Sequence, residues 1–414
     1  MKRLLILGSV EDFTVLTKEA VKRGIYTVVV DSSPNGEAKQ YANKSYDVSI
    51  DDEDGINSII KYEKIDHILT SYSDNLFEYM VKYSDKNNLP CYCSIDKVRY
   101  LRDKFLMKEM LNQLDIPTAP SQKIDLKHCT EKEINISYPF VVKPVDGWGS
   151  KGIYVVNNYN ELKEIINESA NYATDDNTVL LEEKNIGHEL NIMSWVKNGK
   201  ITFAEFSDRE VSGGDKHTIP HYNRVIFPSV YREDIIETVR GYLLKVAEFM
   251  GIKEGPLSTQ LFFDKESGKI SIGEVAGRFF GVEQEISRVI NGVSLNSLLI
   301  NMAYNPEENI NELNNYEREI DHCSLVVYIK AKKGVVRDLG NIEDFIHDSH
   351  IDKAVVYAYP GVSTTSLPVL MCVYAHFDNR KEADEFTANI YDKLYIPGLD
   401  GENLAVKNYL PKYE

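Results

Sequence analysis

At 414 residues the chain is too long for one ordinary domain and long enough to bury several cores without disulfides. Its 64 acidic against 47 basic residues leave a formal net charge of -17, a surface that repels polyanions, so no nucleic acid and no membrane is expected as a partner. Cys91, Cys93, Cys129, Cys323 and Cys372 form neither a paired framework nor a zinc set and read as reduced thiols. The opening MKRLLILGS is too briefly apolar for a signal peptide, and no stretch is apolar for long enough to cross a bilayer, so a soluble, cytoplasmic protein is expected.

In chain order, Leu4 to Leu7 reads as a buried strand ending at Gly8, residues 12 to 23 as a helix closed by Gly24, and Tyr26 to Val30 as a parallel strand. A helix at 55 to 62, a strand at 67 to 70 and a helix at 75 to 87 continue the alternation. Residues 1–96 therefore read as a doubly wound α/β domain. Asp31 sits where a dinucleotide fold places its ribose acid, but only Gly8 of the three glycines is present, so Gly8 and Asp31 read as turn residues.

A helix follows at 97 to 114, then an irregular polar segment at 121 to 137. Strands are expected at 140–143, 153–156, 178–182, 190–196, 201–206, 258–264 and 269–275, helices at 159–168, 233–250 and 282–302, and a loop at 207–224. The tail carries strands at 323–330, 354–358 and 369–375 and a helix at 380–391, an α+β unit.

Three constellations carry chemistry. Lys143 ends a strand and is followed by Gly147, Gly149, Ser150 and Gly152, after which Ile153 to Val156 resume β character. A glycine loop between two strands can fold over a triphosphate and offer backbone N–H groups, and Lys143 can add a cation; no packing duty for Lys143 is legible. The loop is neither a Rossmann turn nor a Walker A loop, because neither a helix nor Gly-Lys-Ser/Thr follows. Next, Glu182, Glu183, Lys184, Asn185 and Ile186 end an apolar strand, a segment whose backbone can bond an adenine edge, and Glu189 can accept from ribose hydroxyls. Last, two strands joined at Gly268 carry Gln260 and Glu274, a pair suited to magnesium between phosphates. Arg278 can steady a phosphorylated intermediate, or pair structurally with Glu274.

The order of these pieces resembles the ATP-grasp superfamily across nearly the whole chain, most closely its carboxylate–amine ligases that join amino acids. The resemblance implies an α/β domain at 1–96, an ATP-grasp core at 97–320 with a lid at about 128–185, and a C-terminal α+β domain at 321–414. It implies ATP bound by Lys104, Lys143, Gly147, Gly149, Ser150, Gly152, Glu182, Glu183, Lys184, Ile186 and Glu189, and Mg2+ on Gln260 and Glu274. Lys143 and Arg278 would act on the transferring groups, and a small-molecule carboxylate would be activated as an acyl phosphate and joined to an amine, with ADP released. The sequence departs from the family at Gln260, usually Glu, and at Ala276, often Asn. An ATP-binding regulator without turnover, or a carboxylase or carbamoyl-type enzyme, are the alternative readings; His217, His221 and Arg224 are placed near the acceptor, and a homodimer is compatible with all of them.

Overall fold

The computed structural model describes residues 1–125, 129–146, 152–172, 178–212, 221–281, 286, 294–308, 322–365 and 369–407. The first unit is β1 (Arg3–Leu7), α1 (Phe13–Lys22), β2 (Tyr26–Asp31), β3 (Lys44–Asp47), α2 (Glu53–Tyr62), β4 (His67–Leu69) and α3 (Asp74–Lys86). Its sheet is parallel in the order β3-β2-β1-β4. Both faces are covered, which explains why its strands read as continuous apolar runs rather than alternating ones. Leu5, Leu7, Val28 and Val30 pack with α2 and α3, while Leu4, Ile6 and Val29 meet Phe13, Leu16 and Ala20 of α1. Gly8 adopts φ +104°, and a Cβ there would lie 2.6 Å from the Phe13 ring, so its role is a tight turn.

The helix expected at 97 to 114 is instead a short 3-10 turn at 98–101 and α4 (Lys104–Gln113), separated by Asp103. Asp103 is the reason: its Oδ1 accepts from the N–H groups of Phe105 and Leu106, at 2.8 and 3.0 Å, and restarts the helix as an N-cap.

The polar segment after α4 is not wholly irregular. Its start is β5 (Ser121–Asp125), paired with β8 (Thr178–Glu183), which pairs in turn with β6 (Phe140–Pro144) and through it β7 (Tyr154–Val156). The alternation of β5 hides its strand character, because only Ile124 is buried and the other positions are polar. With α5 (Tyr159–Ala170) these strands, where a lid was expected, share a core of Phe140, Val142, Leu162, Val179 and Leu181. The two-residue period of β6 and β8 then sends Lys143 and Glu182 to the opposite face.

A large antiparallel sheet follows in the order β13-β12-β9-β10-β11-β14-β16-β15. Its strands are β9 (His188–Lys197), β10 (Lys200–Ser212), β11 (His221–Phe227), β12 (Glu254–Asp264), β13 (Lys269–Ala276), β14 (Cys323–Lys330), β15 (Ile351–Val356) and β16 (Val369–Phe377). The loop expected at 207–224 is strand at both of its described ends, since β10 runs to Ser212 and β11 starts at His221; residues 213–220 lie outside the described residues. One reason is that its polar residues Asp208, Glu210 and Arg224 are buried and paired, Arg224 with Glu210 and Asp208 with Arg380, so they do not need the solvent that a loop supplies. Among the described residues four helices pack on this sheet: α6 (Arg232–Met250), α7 (Leu295–Tyr304), α8 (Ile342–Ile346) and α9 (Arg380–Lys393). The tail strands extend this same sheet, with β11 pairing directly to β14. No helix among the described residues is long and apolar enough to cross a membrane.

Candidate active site

Glu182 is the centre of the site. Lys108 Nζ lies 2.9 Å and Lys143 Nζ 2.8 Å from the same oxygen, Oε2, with all three side chains at most 10% exposed. Burial alone would push the Glu182 carboxyl up, but Lys143 and Lys108 outweigh it and hold the group below the usual carboxylate range. Two lysines on one glutamate leave a positive surplus in a place with little water, which suits an anion. The packing duty unseen for Lys143 in the sequence is this ion pair.

Lys104 opens α4, and its backbone N–H donates to Val145 O at 2.9 Å, tying the helix start to the exit of β6. Burial pushes its ammonium down; Glu274 opposes that effect, and Lys143 adds to it, so Lys104 lies within electrostatic reach of both.

On the large sheet, Gln260 and Glu274 are direct cross-strand partners, and Asn191 of β9 lies opposite Gln260 on its other side. Ser207 of β10 extends the row. Directly opposed residues share a face, so the row presents a carboxylate and two amides together. Two positions along β9, Glu189 pairs with Arg209. Among the described residues no group of three His, Cys, Asp or Glu is placed to hold a metal ion by itself. The donor set nevertheless fits magnesium, which takes one or two carboxylates and completes its shell with phosphate oxygens and water.

Arg278 does not serve as a local partner of Glu274 here. Its Nε donates to Asp74 Oδ1 at 2.8 Å and its Nη2 to Oδ2, a fork that joins the end of β13 to the first turn of α3. Arg278 thereby anchors the N-terminal unit beside the site.

The hinge segment leaves β8 as expected. Asn185 Oδ1 accepts from Ser271 Oγ at 2.5 Å, and its Nδ2 reaches Glu182 Oε1 at 3.4 Å, so β13 holds the hinge. Ile186 is 76% exposed, an apolar side chain with no core to cover it. Gly187 lies against β12: a Cβ there would come within 2.4 Å of Phe263 O. Glu183 is half-buried and Lys184 exposed. Gly147, Gly149 and Ser150 lie outside the described residues, as does His217; Gly152 is described, and Ser169 Oγ donates to its carbonyl at 2.7 Å.

Residues 136–285 match the family model described as an ATP-grasp domain. The chain contains an ATP-grasp domain. The lysine pair falls on either side of that match's start, with Lys108 before it and Lys143 within. In sequence the chain is similar to a formate-dependent phosphoribosylglycinamide formyltransferase of Sulfurisphaera tokodaii, 28% identical over 269 residues, which are 60% of this chain and 64% of that protein. Against the first three such relatives it spans 64%, 56% and 64% of their length. In structure it is similar to an L-amino acid ligase from Bacillus licheniformis, with TM-score 0.81, 17% identity, and 96% and 98% of the two chains covered. It is also similar to the biotin carboxylase domain of a Hydrogenobacter thermophilus 2-oxoglutarate carboxylase in complex with MgADP and bicarbonate, with TM-score 0.71, 16% identity, and 95% and 90% covered. The fold is the ATP-grasp fold throughout, with a parallel N-terminal sheet and a large antiparallel sheet.

Within this ATP-grasp frame, the residues that sequence reasoning missed are Lys108, Asp74, Asn191 and Arg209. Lys108 had a signal, its place one helical turn after Lys104, which puts both on one face of α4. Asp74 and Arg209 had none, since their partners come from distant segments. Arg224 was expected near the acceptor. It is instead fully buried on the α9 side of the sheet, bonded to Glu210 at 2.7 and 2.8 Å, Asp384 at 2.7 Å and Thr387 at 3.0 Å. A basic residue beside a polar loop looks solvent-facing, and only the tertiary neighbours in α9 reveal the pairing.

Proposed function

We propose that the protein is an ATP- and magnesium-dependent ligase that activates a small-molecule carboxylate as an acyl phosphate and joins it to an amine, with release of ADP and phosphate. The observation that carries this reading is the buried Lys108–Glu182–Lys143 triad set near Lys104 and the Gln260–Glu274 row. It combines surplus positive charge for a triphosphate with oxygen donors for a divalent cation, the two requirements of phosphoryl transfer. The printed names of similar proteins support the chemistry: one is a formate-dependent formyltransferase, one an L-amino acid ligase.

In this reading Lys104 and Lys143 hold the phosphates, residues 183–186 hold the adenine through their backbone, and Glu189 accepts from the ribose. Glu274 would hold magnesium with the amide oxygens of Gln260 and Asn191, and the ion, when bound, supplies charge neutralisation at the transferring phosphate. Lys143 donates to the phosphate oxygens as the carboxylate attacks, and Arg278, braced by Asp74, fixes the wall beside the acyl phosphate. An amine then displaces phosphate without a side-chain nucleophile. A phosphate-release assay with ATP, magnesium and pools of carboxylates and amines tests this. Release that needs one acid and one amine together is the expected result; release with bicarbonate alone would point to carboxylation instead.

A further inference from the structure

Lys143 has two competing partners if it serves a nucleotide. In the structure it sits on Glu182 Oε2 at 2.8 Å. To reach a phosphate it must loosen that contact, which would strand a carboxylate only 5% exposed. An uncompensated buried charge is costly when one partner of a buried pair is lost. A lysine tied to a buried glutamate would therefore be a poor phosphate ligand, unless something else holds the glutamate.

Lys108 supplies that hold. Its Nζ lies 2.9 Å from the same Oε2, 2.6 Å from Thr118 Oγ1 and 3.4 Å from Ile272 O. An ammonium has three N–H donors, and three acceptors surround this one. They come from the hinge strand β8, the α4–β5 connection and β13. The side chain is 2% exposed, against 10% for Lys143. The connection itself is pinned, since Ile272 N donates to Pro117 O at 2.8 Å and Thr118 Oγ1 to Ile272 O at 2.7 Å. Lys108 is thus fixed from three sides, while Glu182 is the one protein partner of Lys143 among the described residues.

We infer that Lys108 is a positioning residue: it is the standing counter-ion of Glu182, and by keeping that carboxylate neutralised it releases Lys143 to bind the phosphates of an incoming nucleotide. The inference rests on the nucleotide reading above. Lys108 touches no phosphate. It sets how tightly Glu182 competes for Lys143, so its effect falls on the phosphates and not on the adenosine half of the ligand.

The test measures binding of the non-hydrolysable analogue AMP-PNP with magnesium, and of adenosine, by calorimetry, to folded wild type and variants. In Lys108→Met, Lys143 stays locked on Glu182, so AMP-PNP affinity falls about tenfold or more while adenosine affinity changes by less than about threefold. Lys108→Arg keeps most of the affinity. In Lys108→Met/Glu182→Gln no anion holds Lys143, and AMP-PNP binding returns to within about threefold of wild type. A purely structural lysine would give equal losses for both ligands and no recovery in the double variant, and either outcome overturns the inference. Should Lys108→Met fail to fold, Glu182→Gln alone decides. It must raise the preference for AMP-PNP over adenosine, and a fall in that preference overturns the inference. Wild type that binds no AMP-PNP removes the nucleotide reading and this inference with it; wild type that binds while Lys108→Met binds equally removes this inference alone.

Discussion

Gln260 and Glu274 face one another across β12 and β13, with a register shift immediately after Gln260. A bulge at that point turns the strand and fixes where the two side chains aim. If both oxygens serve the metal, Gln260→Glu adds an anionic ligand and lowers the magnesium needed for ATP binding. Glu274→Gln removes the one carboxylate of the row and raises that requirement more steeply. A magnesium titration of nucleotide affinity across the three proteins checks this. A Gln260→Glu protein with unaltered metal dependence would place residue 260 outside the coordination shell.

Lys143→Ala should cut turnover by roughly a hundredfold or more, the loss of ~3 kcal/mol of charge stabilisation on the transferring group. It should also lower stability modestly, because Glu182 then keeps Lys108 as its remaining ion-pair partner in the triad. Steady-state kinetics beside a denaturant melt separate the two effects. A folded variant with wild-type turnover would remove Lys143 from the reaction.

The reaction products test the activation step. In the proposed function the Lys108–Glu182–Lys143 cluster gathers positive charge near the Gln260–Glu274 row to serve γ-phosphoryl transfer, so ADP and phosphate should appear in equal amounts. AMP and pyrophosphate in their place would falsify the acyl-phosphate step.

How much was legible in the sequence follows from distance along the chain. The βαβ opening, β6, β12 and β13 are local patterns, and their apolar periods read directly. Lys143, Glu182 and Glu274 were legible because strand ends next to glycine or acid runs break those periods. The face that each uses was also readable in principle, since Val142 and Leu181 go to the core shared with α5 and leave Lys143 and Glu182 on the other side. What joins them was not. The Lys108–Glu182 contact spans α4 and β8, and Arg278–Asp74 spans β13 and α3, separations that no periodicity encodes. The strands around residues 207–212 and 221–224 were hidden for the same reason, because their buried charges are neutralised by Arg380 and Asp384 from α9.

That last cluster yields a pH-dependent prediction. Asp208 is fully buried; burial would raise its carboxyl, but the His188 ring at 3.4 Å and the Arg380 guanidinium at 2.6 Å, with Ser229 Oγ at 2.5 Å, hold it below the ordinary carboxylate range. A carboxylate whose folded pKa is depressed contributes stability that is complete above its unfolded value, about 4, and is lost as pH falls through the folded value. Stability should therefore decline as acid titrates Asp208 below about pH 4. Arg380 also bonds Glu210 at 2.8 Å, so Arg380→Met strips a cation from two fully buried acids and should cost about 3–5 kcal/mol near neutral pH. The variant's Asp208 has a higher pKa, binds its proton earlier, and has less to lose on further acidification. Denaturant melts of both proteins near pH 7 and near pH 3 should show the gap between them narrowing in acid. A gap that stays constant would mean that Arg380 acts through the packing of its stem and not through the charge on Asp208.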